Sequence, residues 1–170
     1  EKTAEPGGAA IISGGGCCIV GTPLQKEQGI EDNPDLAFDD WMKWGGPSAD
    51  AVWARYYIEH SLHDLYHWAE SLGVKWVDMK PQEGNSVMRW TRSERSGLGL
   101  TTHLIDGFRA RGGEIIANTE ITGLKIDGGR VTGVQGKNTE TGEIVDITCK
   151  TVLVTTGGFN SNLDMVLEAK

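Results

Sequence analysis

The amino-acid sequence predicts an α/β fold, and three observations carry that reading. Apolar residues between Val52 and Leu72 and between Leu100 and Phe108 recur mostly at steps of three or four, the helical period. From Glu114 to Thr148 the period changes to two, broken by Asp127-Gly128-Gly129 and Glu140-Thr141-Gly142, which reads as an antiparallel meander. Val152-Leu153-Val154 is then a continuous apolar run, as expected of a strand buried on both faces of a parallel sheet. It leads straight into Thr155-Thr156-Gly157-Gly158, where side chains shrink away.

The elements follow in order. Residues 1–24 hold too many glycines for a sustained helix or strand, although Ala9-Ala10-Ile11-Ile12 suits the start of either. Asn33-Pro34 predicts a helix start, because Asn33 caps and Pro34 fills the first helical position, where no amide is needed. That helix is expected to reach Lys43, before Gly45-Gly46-Pro47. A second helix is expected from Ser48 or Asp50 to Leu72, with Val52, Tyr56, Leu62, Leu65, Ala69 and Leu72 facing the core and Gly73 ending it. Residues 78–97 read as an irregular loop. A third helix runs from Leu98 to Arg111, its apolar face Leu100, Leu104, Ile105 and Phe108. Strands are expected at Glu114–Ala117, Ile121–Ile126, Arg130–Asn138 and Ile144–Thr148, and a last helix from Leu163.

Composition narrows the function. The chain has 170 residues with a formal charge of -8, which argues against a nucleic-acid partner. The densest basic stretch, Arg89 to Arg95, is interrupted by Glu94. No apolar run of about 18 residues exists, so no membrane span is expected. Cys17 and Cys18 are adjacent and Cys149 is distant; they read as small packing residues in a reducing, cytoplasmic setting. His60, His63 and His67 share helical spacing and read as a surface stripe rather than a metal face. The chain starts at Glu1 without Met and ends inside an expected helix, so it reads as a piece of something longer.

Four stretches together carry a resemblance: Glu1-Lys2; Gly7-Gly8 through Ser13-Gly14-Gly15-Gly16; Gly112 to Ile121 with Arg130-Val131-Thr132-Gly133-Val134; and Val152 to Phe159. In this order they resemble the FAD-binding domain of the fumarate reductase and succinate dehydrogenase flavoprotein family, which also holds ketosteroid dehydrogenases and urocanate reductase. The resemblance implies a Rossmann-like FAD-binding domain with a three-stranded meander, lacking its first βα unit and its capping domain. Residues 32–97 would be a helical insert, and 98–160 the helix, strand, meander and terminal glycines. Glu1 is placed like the acidic residue that hydrogen-bonds ribose in dinucleotide folds, with Lys2 beside it. Gly7, Gly8, Ala9, Ser13, Gly14 and Gly15 would pass the pyrophosphate and flavin ring, and the main chain of Ile121 the adenine, its side chain in the core. Thr155, Thr156, Gly157 and Gly158 match the family's strand-end glycine motif, where the cofactor's phosphate-ribose portion crosses the carboxyl end of a strand. Gly8 stands where covalently flavinylated members carry His, so the implied FAD is non-covalent.

The implied function is hydride transfer to or from a C–C bond beside a carbonyl or carboxylate, on a dicarboxylate or a steroid-like ketone. Residues 21–26 with 29–32 resemble the ketosteroid-type branch more than the succinate branch. A non-catalytic FAD-fold scaffold or subunit interface is the alternative. Neither a catalytic acid nor an electron partner is readable, and the segment alone is expected to bind FAD poorly. Arg89, Arg92 and Arg95 read as a solvated loop or as a cleft facing a carboxylate, and the six Trp as core or interface.

Overall fold

The computed structural model describes residues 1–169 and shows an α/β protein with two antiparallel three-stranded sheets. The chain forms two compact units, one of Glu5–Ile115 and one of Glu1–Ala4 together with the chain from Ile116 on.

In the Glu5–Ile115 unit, helix α1 (Gly8–Ile12) precedes strand β1 (Gly16–Cys18) and helix α2 (Pro23–Glu27). Thr22 starts α2 with a reciprocal cap: its hydroxyl accepts from the Gln25 amide, and the Gln25 side chain accepts from the Thr22 amide. Helix α3 (Pro34–Gly45) begins at the expected cap, where Asn33 Oδ1 accepts from the amides of Asp35 and Leu36. Helix α4 (Ala51–His60) is capped by Asp50, widens into a π turn over Ser61–His67 and resumes as α5 (Trp68–Ser71).

That π turn corrects the expected core stripe. Val52 and Tyr56 face solvent, and the buried positions are Ala54, Ile58, Ser61, Tyr66 and Ala69, flanked by Leu62 and Leu65. The six-residue gap after Tyr56 marked a break in phase, since a π turn adds a residue and rotates the face that follows. Buried Ser61 donates to the Ile58 carbonyl and accepts from the Val20 amide, tying the helix to the chain after β1.

The region expected to be loop contains two strands, β2 (Trp76–Lys80) and β3 (Trp90–Ser93), and the sheet order is β1-β3-β2. The arrangement is fixed by a core of Ile19, Tyr66, Ala69, Val74 and Trp76, in which Trp76 stacks on Tyr66 at 5.4 Å and donates to its carbonyl. Burial pushes the Tyr66 hydroxyl pKa up to about 12. Of the six Trp only Trp76 is buried; Trp41, Trp44, Trp53 and Trp68 are exposed and Trp90 half-buried. Helix α6 (Ser96–Ala110) starts two residues earlier than expected.

The second unit holds the meander, β4 (Thr119–Asp127), β5 (Arg130–Asn138) and β6 (Ile144–Thr148), in the order predicted. Its first hairpin turns at Gly128 and Gly129, both at positive φ, where a Cβ would be strained. Two expected strands are corrected. Glu114–Ala117 and Val152–Val154 join no strand ladder among the described residues, although the Ile116 carbonyl accepts from the Glu1 ammonium, and Leu153 is 85% exposed rather than buried on both faces. Apolar runs become strands only where a neighbouring ladder accepts their amides, and no described strand does so here. Helix α7 (Leu163–Glu168) is capped by Asn162.

Candidate functional site

The expected cofactor residues are divided between the two units. In the first, the glycine-rich stretch is not an open loop throughout. Gly7 precedes α1, which takes in Gly8 and Ala9. Ser13 closes α1, its hydroxyl donating to the Ala10 carbonyl and accepting from the Gly15 amide. Its Oγ is thus already engaged by local main chain.

The glycines separate by what a side chain would meet. A Cβ on Gly15 would lie 2.3 Å from the Ser96 backbone, one on Gly14 3.2 Å from the Trp90 ring, and one on Gly7 2.2 Å from Ile11. The close approach to α6 and its neighbours accounts for Gly15 without any ligand, and the Gly97 amide donates to the Ser13 carbonyl at the same crossing. At Gly8 nothing lies within 4 Å, and its φ of 43, rather than packing, is what favours glycine there.

In the second unit, Glu1, Lys2 and Ile121 are brought close in the fold. The Thr119 amide donates to the Glu1 carbonyl, and the Thr139 hydroxyl to that of Lys2. Ile121 follows two residues on in β4, opposite Gly136. Its side chain is 44% exposed, which corrects the expected core position. Glu1 Oε1 accepts both the amide and the hydroxyl of Thr3. The Thr3 amide above all holds this exposed carboxyl below its ordinary pKa range, so it is charged at neutral pH and suited to accept from ribose hydroxyls.

Thr155, Thr156, Gly157 and Gly158 form an exposed, irregular segment. Gly157 has φ 81, which demands glycine by itself. Gly158 has no positive φ, and a Cβ built on it would meet nothing within 4 Å. Neither backbone conformation nor the chain's own packing requires glycine at 158. The same holds at Gly123 in β4; at 158 the bare main chain is open to close approach by a ligand, and in this respect the residues present fit an FAD.

Of the three arginines read as a solvated loop or a cleft facing a carboxylate, Arg89 is 2% exposed rather than solvated. Its Nε and Nη2 donate to the Asp32 carboxylate, and its Nη1 to Asp40 and Asn85. Burial opposes the charge of Asp40, but hydrogen bonds from the Ser86 amide, Arg89 and the Ser86 hydroxyl outweigh it and hold the carboxyl below its ordinary range. Arg92 pairs instead with its cross-strand partner Asp78, and Arg95 is exposed with φ 63. The cue available in the sequence was the apolar flank of Arg89, Val87-Met88 and Trp90; its partners are 57 and 49 residues away. Beside Arg89 lies a cavity of about 260 Å³.

The histidines make local contacts: His63 with Asp64, His67 with Glu70, and His60 stacked on Tyr56. Among the described residues no group of three or more His, Cys, Asp and Glu side chains could hold a metal ion, and no helix is long and apolar enough to cross a membrane.

Comparison with known proteins supplies the remaining findings. The family described as FAD binding domain matches residues 1–170. A urocanate reductase of Eggerthella lenta is 32% identical over 97% of this chain and 28% of its own length. An NADH:fumarate oxidoreductase of Klebsiella pneumoniae is 27% identical over 99% of this chain and 18% of its own. A KsdD-like steroid dehydrogenase of Mycobacterium tuberculosis is 26% identical over 98% and 34%. The chain therefore spans roughly a third or less of the length of these relatives. Among solved structures, the open conformation of a flavocytochrome c3 fumarate reductase superposes with a TM-score of 0.91 at 29% identity, covering 99% of this chain and 30% of that one.

Proposed function

The chain belongs to the FAD-binding domain family, with FAD as its cofactor, and on that premise we propose that it is part of an oxidoreductase transferring a hydride to or from a C–C bond beside a carbonyl or carboxylate. Bound FAD would supply the two-electron chemistry. The chain's part is binding and orientation. Glu1 accepts from the ribose hydroxyls, with Lys2 beside it, and the main chain of Ile121 passes the adenine. Thr155, Thr156, Gly157 and Gly158 lay bare main chain along the phosphate-ribose portion. Gly7, Gly8, Ala9, Ser13, Gly14 and Gly15 border the pyrophosphate and ring, and Gly8, standing where a histidine attaches flavin in covalent members, makes the attachment non-covalent.

The observation that carries this reading is Gly158, a glycine that neither conformation nor packing explains. The substrate in this proposal is a dicarboxylate or a steroid-like ketone, and the setting is the cytoplasm, supported by the free thiols of Cys17, Cys18 and Cys149. A first unit and a capping domain complete the enzyme in the whole protein.

The test is the whole protein purified and denatured in acid. Release of the yellow flavin into the supernatant supports non-covalent FAD; flavin that stays with the precipitated chain contradicts it. Reduced flavin in the native protein should be reoxidised anaerobically by fumarate, urocanate or a steroid enone. Reoxidation by none of these, or by any other activated alkene, would leave the scaffold reading in its place.

A further inference from the structure

The cavity beside Arg89 is lined by none of the residues assigned to FAD. Its walls are aromatic. The rings of Trp41 and Tyr57 meet at 5.5 Å with a tilt of 56°, and Trp44 adds a third. Trp44 lies over Gly84, where a Cβ would come within 2.5 Å of the indole, so glycine there is what admits the ring. The Tyr57 hydroxyl is spent on the Cys18 carbonyl, and burial raises its pKa, so this residue offers a neutral ring.

The charge beside these rings is negative. Arg89 is the cavity's guanidinium, and its donors go to Asp32, Asp40 and Asn85. Two carboxylates face this one guanidinium, and Glu83, also lining the cavity, adds a further negative charge. Asp40 is fixed in place, because its Oδ2 accepts from the Ser86 amide, the Ser86 hydroxyl and Arg89. Asp32 and Asp40 are both paired with Arg89, so their cluster keeps one net negative charge, to which Glu83 adds; electron-rich rings beside net negative charge attract cations and repel anions.

We propose that this cavity binds a small organic cation, an alkylammonium group on a compact apolar body. A volume of about 260 Å³ holds a ligand of choline size. The rings lie against the methylated cation, while Glu83 supplies the counter-charge.

The test is isothermal titration of the intact, FAD-loaded protein with choline and with its uncharged isostere 3,3-dimethylbutan-1-ol. Choline should bind saturably at one site, about tenfold or more tighter than the isostere. Trp44→Ala, at a position that is 67% exposed, should weaken choline binding about fivefold, and so should Glu83→Gln. Flavin absorbance should be unaltered in every case, so failure here is distinguishable from loss of the cofactor. Equal affinity for the uncharged isostere, no saturable heat with choline, or undiminished binding by Trp44→Ala would overturn the proposal.

Discussion

Every buried apolar side chain among the described residues lies in the Glu5–Ile115 unit, from Ile19 and Val20 to Trp76 and Met79. The meander unit has none; its Leu124, Ile126, Ile144, Leu153 and Val154 are all exposed. The first unit is organised by side chains meeting across long sequence separations, around Trp76 and around Arg89. The second is organised by the β4-β5-β6 ladder and its turns. Within this chain, a pattern written in local turns and alternation is held by its ladder, whereas short strands such as β2 and β3 rest on what is buried beneath them.

Substitutions should break this contrast in a definite order. Trp76→Ala should destabilise the first unit by about 3–5 kcal/mol, whereas Ile126→Ala in the meander should cost under about 1 kcal/mol; urea unfolding of both variants checks the pair. Arg89→Met strips two carboxylates of their buried partner and should also cost about 3–5 kcal/mol in the same assay. Gly15→Ala, forced against the Ser96 backbone at φ 63, should cost about 1–3 kcal/mol by thermal unfolding. Asn33→Ala should remove the α3 cap at about 1 kcal/mol.

The Asp40–Arg89 pair sharpens the comparison by pH. The folded carboxyl titrates below its ordinary value of 3.8. Its contribution is therefore complete above about pH 4 and is lost as pH falls through the lowered value. Asp40→Asn should be less stable than wild type at neutral pH, and the difference should shrink on acidification. A difference that stayed constant down to the acid limit would contradict the pairing.

What could be read in the sequence follows the same division. Asn33-Pro34 and Asp127-Gly128-Gly129 are local chemistry, and both elements stand where expected. The stripe from Val52 to Leu72 was misphased because a π turn after His60 rotates the buried face, and the gap in spacing was its only trace. Arg89 looked solvated because Asp32 and Asp40 are remote in sequence. Gly15 and Gly158 are the same letter, and only coordinates separate a glycine held by a neighbouring backbone from one bordered by open space.

That last distinction yields the most direct measurement, FAD affinity of the intact protein carrying Gly158→Leu. The account predicts an FAD dissociation constant raised at least about tenfold, with the thermal midpoint of the apoprotein unchanged. FAD binding at wild-type affinity would show that no cofactor lies against this main chain.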